Sequence, residues 1–242
     1  MSHTLPDYTG KYVNEHVYGE VDNGELAVRL KSPVSYDRRG NVVWMDDFED
    51  NINKWTQTHV GAGGSIELST EAARNGASSC KLITPSDTTL FASIQHGCGM
   101  LGLSNYGVEL NYAHQVTGSR LILTMGRYDG AINHYGVIDI TQATGVLRIY
   151  DQITAAYVTL DTLSVLSEPE VWHTLKLVID MRTNMYVRAM FNETTYDLSD
   201  YGLLAQVIAT SPHIAWNIKL STLDAGNEHV YIDDVIVTQN EP

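Results

Sequence analysis

The chain has 242 residues, 43% of them hydrophobic, with 29 acids against 15 Lys and Arg for a formal charge of −14. This length holds one large β domain or two small ones, with enough apolar material for a true core. The acidic balance repels phosphate backbones and no basic stripe offsets it, while no window approaches the roughly 18 apolar residues of a membrane helix, so nucleic acid and membrane are both excluded as partners.

Residues 1–41 are polar, Tyr-rich and irregular, with one strand-like run, ELAVRLK (25–31). They show no apolar stretch with a small-residue cleavage site, so they read as an extended N-terminal arm on a protein made in the cytoplasm without a signal peptide. Such an arm buries its apolar residues either on a neighbouring subunit or on its own domain. It leads into a single domain spanning 42–242.

That domain opens with VVWMDDFED (42–50), a core-like strand running into acid. Alternation puts Val42, Trp44, Asp46 and Phe48 on one face and Val43, Met45, Asp47 and Glu49 on the other. TEAARNGA (70–77) offers at most one helical turn before Gly76. From there the period is two: YGVELNYAHQ (106–115), SRLILTMGRY (119–128), GVLRIYD (145–151), HTLKLVID (173–180), NMYVRAMFN (184–192), HIAWNIKL (213–220) and HVYIDDVIV (229–237). Turn signals (VTGS, YDGAIN, QATG, MRTN, LDAGN) separate them, and LSDYGLLAQVI (198–208) suggests a short helix or lid. In HTLKLVID the residues Leu175, Leu177 and Ile179 share one face. In the next strand Val187, Ala189 and Phe191 point inward, with Tyr186, Arg188 and Asn192 outward. This is an all-β pattern, an antiparallel β-sandwich jelly roll with an extended N-terminal arm.

The cysteines, Cys80 and Cys98, make neither a disulfide framework nor zinc spacing and read as buried thiols. None of the nine histidines falls at zinc-ligand spacing. Trp44, Trp55, Trp172 and Trp216 sit in strand-like apolar contexts and read as core. The sequon Asn192-Glu193-Thr194 carries meaning only in a secreted chain.

DDFED with Trp55, the Gly-rich stretch after it, STEAARNGASSCKLIT (69–84) and the closing YIDDVIV (231–237) resemble the carbohydrate-binding-module jelly rolls. VWHTLKLVID followed by MYVRAMFNETTYDLS is similar to the concanavalin/laminin-G sandwich. The resemblance covers most of 44–238 and implies that the first and last core strands are neighbours. It departs from those modules in its leading arm and in lacking a signal peptide or catalytic partner. A cytosolic lectin-like sandwich with an arm looks like a tailed-phage virion protein.

Neighbouring first and last strands would bring Asp46, Asp47 and Glu49 close to Asp233 and Asp234. Converging carboxylates need a cation, a proton or Lys/Arg between them. The resembled jelly rolls imply a structural calcium here, and no other cofactor is required. The alternative is that the strands end at the acids, which then face water or cap turns. For sugar, RYDGAINHY (127–135) offers Tyr128, Asp129, Asn133 and Tyr135, and MRTNMYVR (181–188) offers Tyr186 and Arg188, since rings stack on aromatics while polar groups bind hydroxyls. The same residue types also serve protein interfaces. Catalysis finds no constellation: the E-x-D-x-x-E strand of concanavalin-type hydrolases is absent, and SIQHG gives only a lone Gln95–His96 where similar lyases pair Gln-x-His with Arg/Glu strands. The expected function is therefore non-enzymatic: a phage virion surface subunit, either capsid decoration or tail-associated, docked through its arm to a virion lattice or homo-oligomer. The alternatives are a carbohydrate-binding module or a polysaccharide-degrading enzyme.

Overall fold

The computed structural model describes residues 37, 39–85, 90–99, 102–115, 118–223 and 227–242. The expected arm up to residue 36, with its strand at 25–31, lies outside them. Strands run in chain order as β1 (Asn41–Asp46), β2 (Thr56–Val60), β3 (Ser65–Ser69), β4 (Ser79–Ile83), β5 (Phe91–Cys98), β6 (Asn105–His114), β7 (Ser119–Tyr128) and β8 (Ile132–Thr141). They continue as β9 (Val146–Asp151), β10 (Ala156–Thr162), β11 (His173–Asp180), β12 (Met185–Phe191), β13 (Thr194–Asp197), β14 (Leu204–Val207), β15 (His213–Thr222) and β16 (His229–Gln239). The helical turn expected at 70–77 is a run of bends, and the 198–208 lid instead supplies β14, paired with β8.

Among the described residues two eight-stranded sheets form. Sheet A has the order β13-β12-β11-β6-β16-β4-β3 with β1 also on β16; sheet B has β10-β9-β8-β7-β15-β5-β2 with β14 on β8. Every pairing is antiparallel, and β1 lies directly on β16, from Asn41↔Gln239 to Asp46↔Val235. First and last strands are neighbours.

The inner faces hold the core. Leu110, Leu175, Leu177 and Ile232 from sheet A meet Leu121, Leu123, Ile138, Trp216 and Ile218 from sheet B, all essentially without solvent contact. Each such side chain contributes about 1.5–3 kcal/mol through burial. At one end Trp44 stacks on His96 at 4.5 Å and meets Trp55 edge-on at 5.1 Å. Elsewhere between the sheets the core turns polar, where His114 and His173 lie 6.4 Å apart beside Tyr112. Neither His114 ring nitrogen has a hydrogen-bond partner among the described residues. Burial, helped by the charge of His173, lowers the His114 pKa to about 4. Three of the four tryptophans reach the core; Trp172 instead lines a surface depression with Phe191, Asn192 and Thr194. Both cysteines are free, Cys80 buried and Cys98 half-buried.

One local irregularity corrects a sequence expectation. Val178 pairs with Arg188 but Ile179 pairs with Tyr186, so Val187 is an extra residue in β12. This bulge reverses the parity. Tyr186 turns inward to 1% exposure, beside Ala189 and Phe191, whereas Arg188 stays on the outer face of sheet A.

That outer face is closed by the ends of the described chain. Lys176, 1% exposed, holds Asp37 at 3.0 Å, Glu241 at 2.8 Å and Glu109 at 3.7 Å. Arg188 pairs with Asp37 at 3.1 Å and with Glu241, and its Nη1 donates to the Pro242 carbonyl at 2.6 Å. Burial alone would raise the Asp37 pKa, but hydrogen bonds from Arg39, Lys176 and Arg188 and the Lys176 charge hold it far below the usual carboxylate range. Each ion here has its counter-ion.

Candidate functional site

The outer face of sheet B follows from strict alternation. In β7 the inward Leu121, Leu123 and Met125 leave Arg120, Ile122, Thr124, Gly126 and Tyr128 outward. Register carries this across the sheet: Thr124 lies beside Asn217 of β15, Asn217 beside Gln95 of β5, and Gln95 beside Thr56 of β2. A row of hydroxyls and amides results. One step along the strands, Tyr135 of β8, Gly126 and Ala215 form the next row, and Asn133, Tyr128 and His213 the one after.

The middle row makes a floor. A Cβ at Gly126 would meet the Tyr135 Cβ at 2.4 Å and the His134 carbonyl oxygen at 2.7 Å, so only glycine fits beneath the ring. Over this floor Gln95, Thr124, Tyr128, Asn133, Tyr135, Gln206 and Asn217 line a depression of about 220 Å³. That is smaller than the closed sites of small molecules, which suits part of an extended ligand laid on the surface. Tyr128 stacks flat on His213, centroids 4.2 Å apart and planes at 7°, which fixes the ring at the rim.

Of the six residues expected to bind sugar, Tyr128, Asn133 and Tyr135 come together here. Asp129 builds the β7–β8 turn: its Oδ1 accepts from the amides of Ala131 at 3.0 Å and Ile132 at 2.8 Å, which lower its pKa. Tyr186 is not surface-exposed. Its hydroxyl lies between the sheets, accepting from the Val137 amide at 2.8 Å and donating to the Tyr150 carbonyl at 2.7 Å. Arg188 is on the opposite face, in the Lys176 cluster. Sequence alone does not single out Thr124, Gln206 or Asn217, and it gives Gln95 only as half of a lone Gln–His pair. Thr124 and Asn217 are the polar positions of SRLILTMGRY and HIAWNIKL, and following that alternation would have found them.

The acids of the first and last strands meet at a seam. Past Asp46 the chain turns at Phe48, whose φ of 54° drops its ring into the core. Asp46 is buried and accepts from Lys54 Nζ at 2.8 Å and Trp55 Nε1 at 2.7 Å. Asp47 Oδ1 accepts from the Glu49 amide, while Glu49 Oε1 accepts from the amides of Ala77 and Ser78 at 2.8 and 2.9 Å. Across the seam β16 bulges between Asp233 and Ile236, with Asp234 at φ 49°. Asp233 accepts from the amides of Arg74, Asn75 and Asp234, and Asp234 pairs with the Arg74 guanidinium at 3.1 Å. These carboxylates cap the backbone of the 70–78 loop and the turn after β1. Burial and the neighbouring Asp234 push Asp233 up to about 7; burial, with Asp47 and Glu49 adding and Arg74 opposing, pushes Asp234 up to about 6. The five acids expected to hold calcium do not gather as a ligand set: among the described residues no group of three or more His, Cys, Asp or Glu is arranged for a metal.

No protein-family model matches the sequence, and no curated protein does. Solved structures do share the fold. The endo-β-1,4-glucuronan lyase of the fungus Trichoderma reesei aligns with a TM-score of 0.56 at 15% identity, covering 82% of this chain and 96% of that one. A Bacillus subtilis protein of galectin-like fold gives a TM-score of 0.56 at 10% identity, over 84% and 97%. The globular domain of T. cruzi calreticulin gives 0.50 at 9% identity, over 82% and 88%. At such identities the likeness is one of architecture: the chain is a lectin-like β-sandwich jelly roll.

Proposed function

We propose that this protein is a non-catalytic glycan-binding sandwich whose ligand lies across the outer face of β7, β8 and β15. The observation that carries this reading is the depression where Tyr128 and Tyr135 flank the amides of Gln95, Asn133 and Asn217 over the Gly126 floor. Tyrosine faces stack on sugar C–H groups, and amides both donate to and accept from hydroxyls. The fold shared with a glucuronan lyase and a galectin-like protein supports the same reading. A glycan array identifies the ligand, and Tyr135→Ala and Asn217→Ala are each expected to weaken binding by about tenfold. No glycan bound above background, or unchanged affinity in both variants, refutes it. Release of reducing ends during incubation would replace binding with cleavage.

The finer reading is a subunit on a phage virion surface, held by its N-terminal arm to a neighbouring subunit or capsid lattice. It is supported by the position of Asp37, on the outer face of sheet A and so opposite the depression. Removing residues 1–36 is expected to lower the assembly state in sedimentation and to abolish particle binding; an unchanged profile refutes it. A structural calcium at the seam is a separate proposal, supported by Asp234 Oδ1, which is buried without a hydrogen-bond partner among the described residues. The partners already held by Asp46 and Asp233 count against it. Calcium added back after chelation is expected to raise the melting temperature by roughly 5 °C in the parent and not in Asp234→Asn.

A further inference from the structure

The outer face of sheet B continues past its amide row. One outward position along the strands, about 7 Å away, Lys219 of β15 lies level with Ile122 of β7 and Asp139 of β8, and Arg148 of β9 pairs with Asp139. Arg120 occupies the next outward position of β7. Among the described residues Asp139 is the only carboxylate at an outward position of β5, β7, β8, β9 or β15, and it is already taken. Its Oδ1 accepts from Arg148 Nε at 2.7 Å. Arg120 Nη1 stays 3.8 Å from Oδ2, beyond a hydrogen bond, and Arg120 Nε has no partner among the described residues. Lys219 forms no ion pair among the described residues; its Nζ rests 4.0 Å over the Phe91 ring. Burial, and then the charge of Arg120, lower the Lys219 pKa, as expected for two cations held close together.

Three cations therefore lie on this stretch of the face beside one carboxylate, which serves Arg148 and Arg120 and leaves Lys219 without an ion pair among the described residues, in a chain whose formal charge is −14. Sheet A shows that this chain does supply counter-ions where it closes a face: Lys176 alone has three carboxylates around it. A carboxylate brought by a ligand would relieve the repulsion between Arg120 and Lys219 and could engage a guanidinium through two parallel hydrogen bonds. The cationic row also adjoins the tyrosines and amides of the depression, so ring and charge would be met along one extended chain. A nucleic-acid strand, charged at every phosphate, would meet the acidic remainder of the surface.

Resting on the glycan reading above, we infer that the ligand is an anionic glycan, a polymer of uronic acid residues, with Arg120 and Lys219 as the residues that select its carboxylates. The probes are polyglucuronate and polygalacturonate, each alongside the same polymer with its carboxyls reduced to alcohols. Affinity is expected to fall about tenfold on carboxyl reduction and by a similar factor in Arg120→Gln/Lys219→Gln, with an unchanged melting temperature. Where the double variant melts early, Lys219→Gln alone is expected to cost about threefold. A carboxyl-reduced polymer that binds equally well, and still loses affinity in Tyr135→Ala, overturns the charge inference and leaves the glycan reading standing. Full affinity in the cation variants, or tighter binding of a DNA homopolymer than of either polyuronate, also overturns the inference. No binding of any polymer or array glycan overturns both readings.

Discussion

On the outer face of sheet A, Lys176 lies within 3.7 Å of three carboxylates, whereas on the outer face of sheet B, Arg120 and Arg148 share Asp139 and Lys219 forms no ion pair among the described residues. The scaffold is the same, two alternating antiparallel sheets, and the difference is what covers them. Asp37 and Glu241 fold over the first face and take its cations out of water, where an unmatched charge is costly. Among the described residues the second face has no such cover, and its cations stay partly exposed with fewer counter-ions beside them. A matched cluster belongs to stability; an unmatched one at the surface is available for recognition.

The sharpest way to break this contrast is to remove one lysine from each face. Lys176→Met removes the cation shared by three acids, two of which keep Arg188, and is expected to cost about 3–5 kcal/mol in urea unfolding, against less than about 1 kcal/mol for Lys219→Met. Equal losses would end the distinction. Asp37→Asn is expected to cost about 2–3 kcal/mol at neutral pH. Because the folded pKa of Asp37 is depressed, that contribution is present above the unfolded value and is lost as pH falls below about 4, so parent and variant should converge in acid.

The interior gives a third environment, in which a titrating group has no counter-ion. His114 is depressed to about 4 against an ordinary 6.5, so the unfolded chain binds the extra proton and stability falls as pH drops from 6.5 toward 4. Relative to His114→Phe, the parent should lose about 2 kcal/mol between pH 7 and pH 5. His173 and Tyr112 face the same ring, and His173 titrates downward too, so its own variant should show a smaller slope of the same sign. Smallest of all, Tyr135→Ala should change stability by less than about 1 kcal/mol while weakening glycan binding about tenfold, which separates recognition from folding on the open face.

Much of this architecture was legible in the alternation. SRLILTMGRY, HTLKLVID and HIAWNIKL read as strands and are β7, β11 and β15, because a sheet with one buried face imposes its period on the sequence. The reading failed where the period breaks. Alternation sends Tyr186 outward, because nothing in NMYVRAMFN announces the extra Val187. TQTHV, β2, is exposed along its whole length and carries no apolar stripe to find. The site was half legible. RYDGAINHY supplied Tyr128, Asn133 and Tyr135, but Gln95 and Asn217 join them only through the order β7-β15-β5, which no local pattern contains. The paired acids were recognised as a meeting of first and last strands, while their role as caps for the 70–78 backbone depended on loop geometry.

An interior strand of each sheet comes from residues 213–239. β15 is flanked by β7 and β5, and β16 is paired with β6, β4 and β1. During synthesis the earlier strands emerge with their middle places vacant, and neither sheet can close until residues 213–239 have left the ribosome. Topologies so dominated by distant pairings fold slowly and expose unpaired edges meanwhile. The chain's final strand thus acts as a keystone: a product stopped short of His229 lacks the partner of three strands at once.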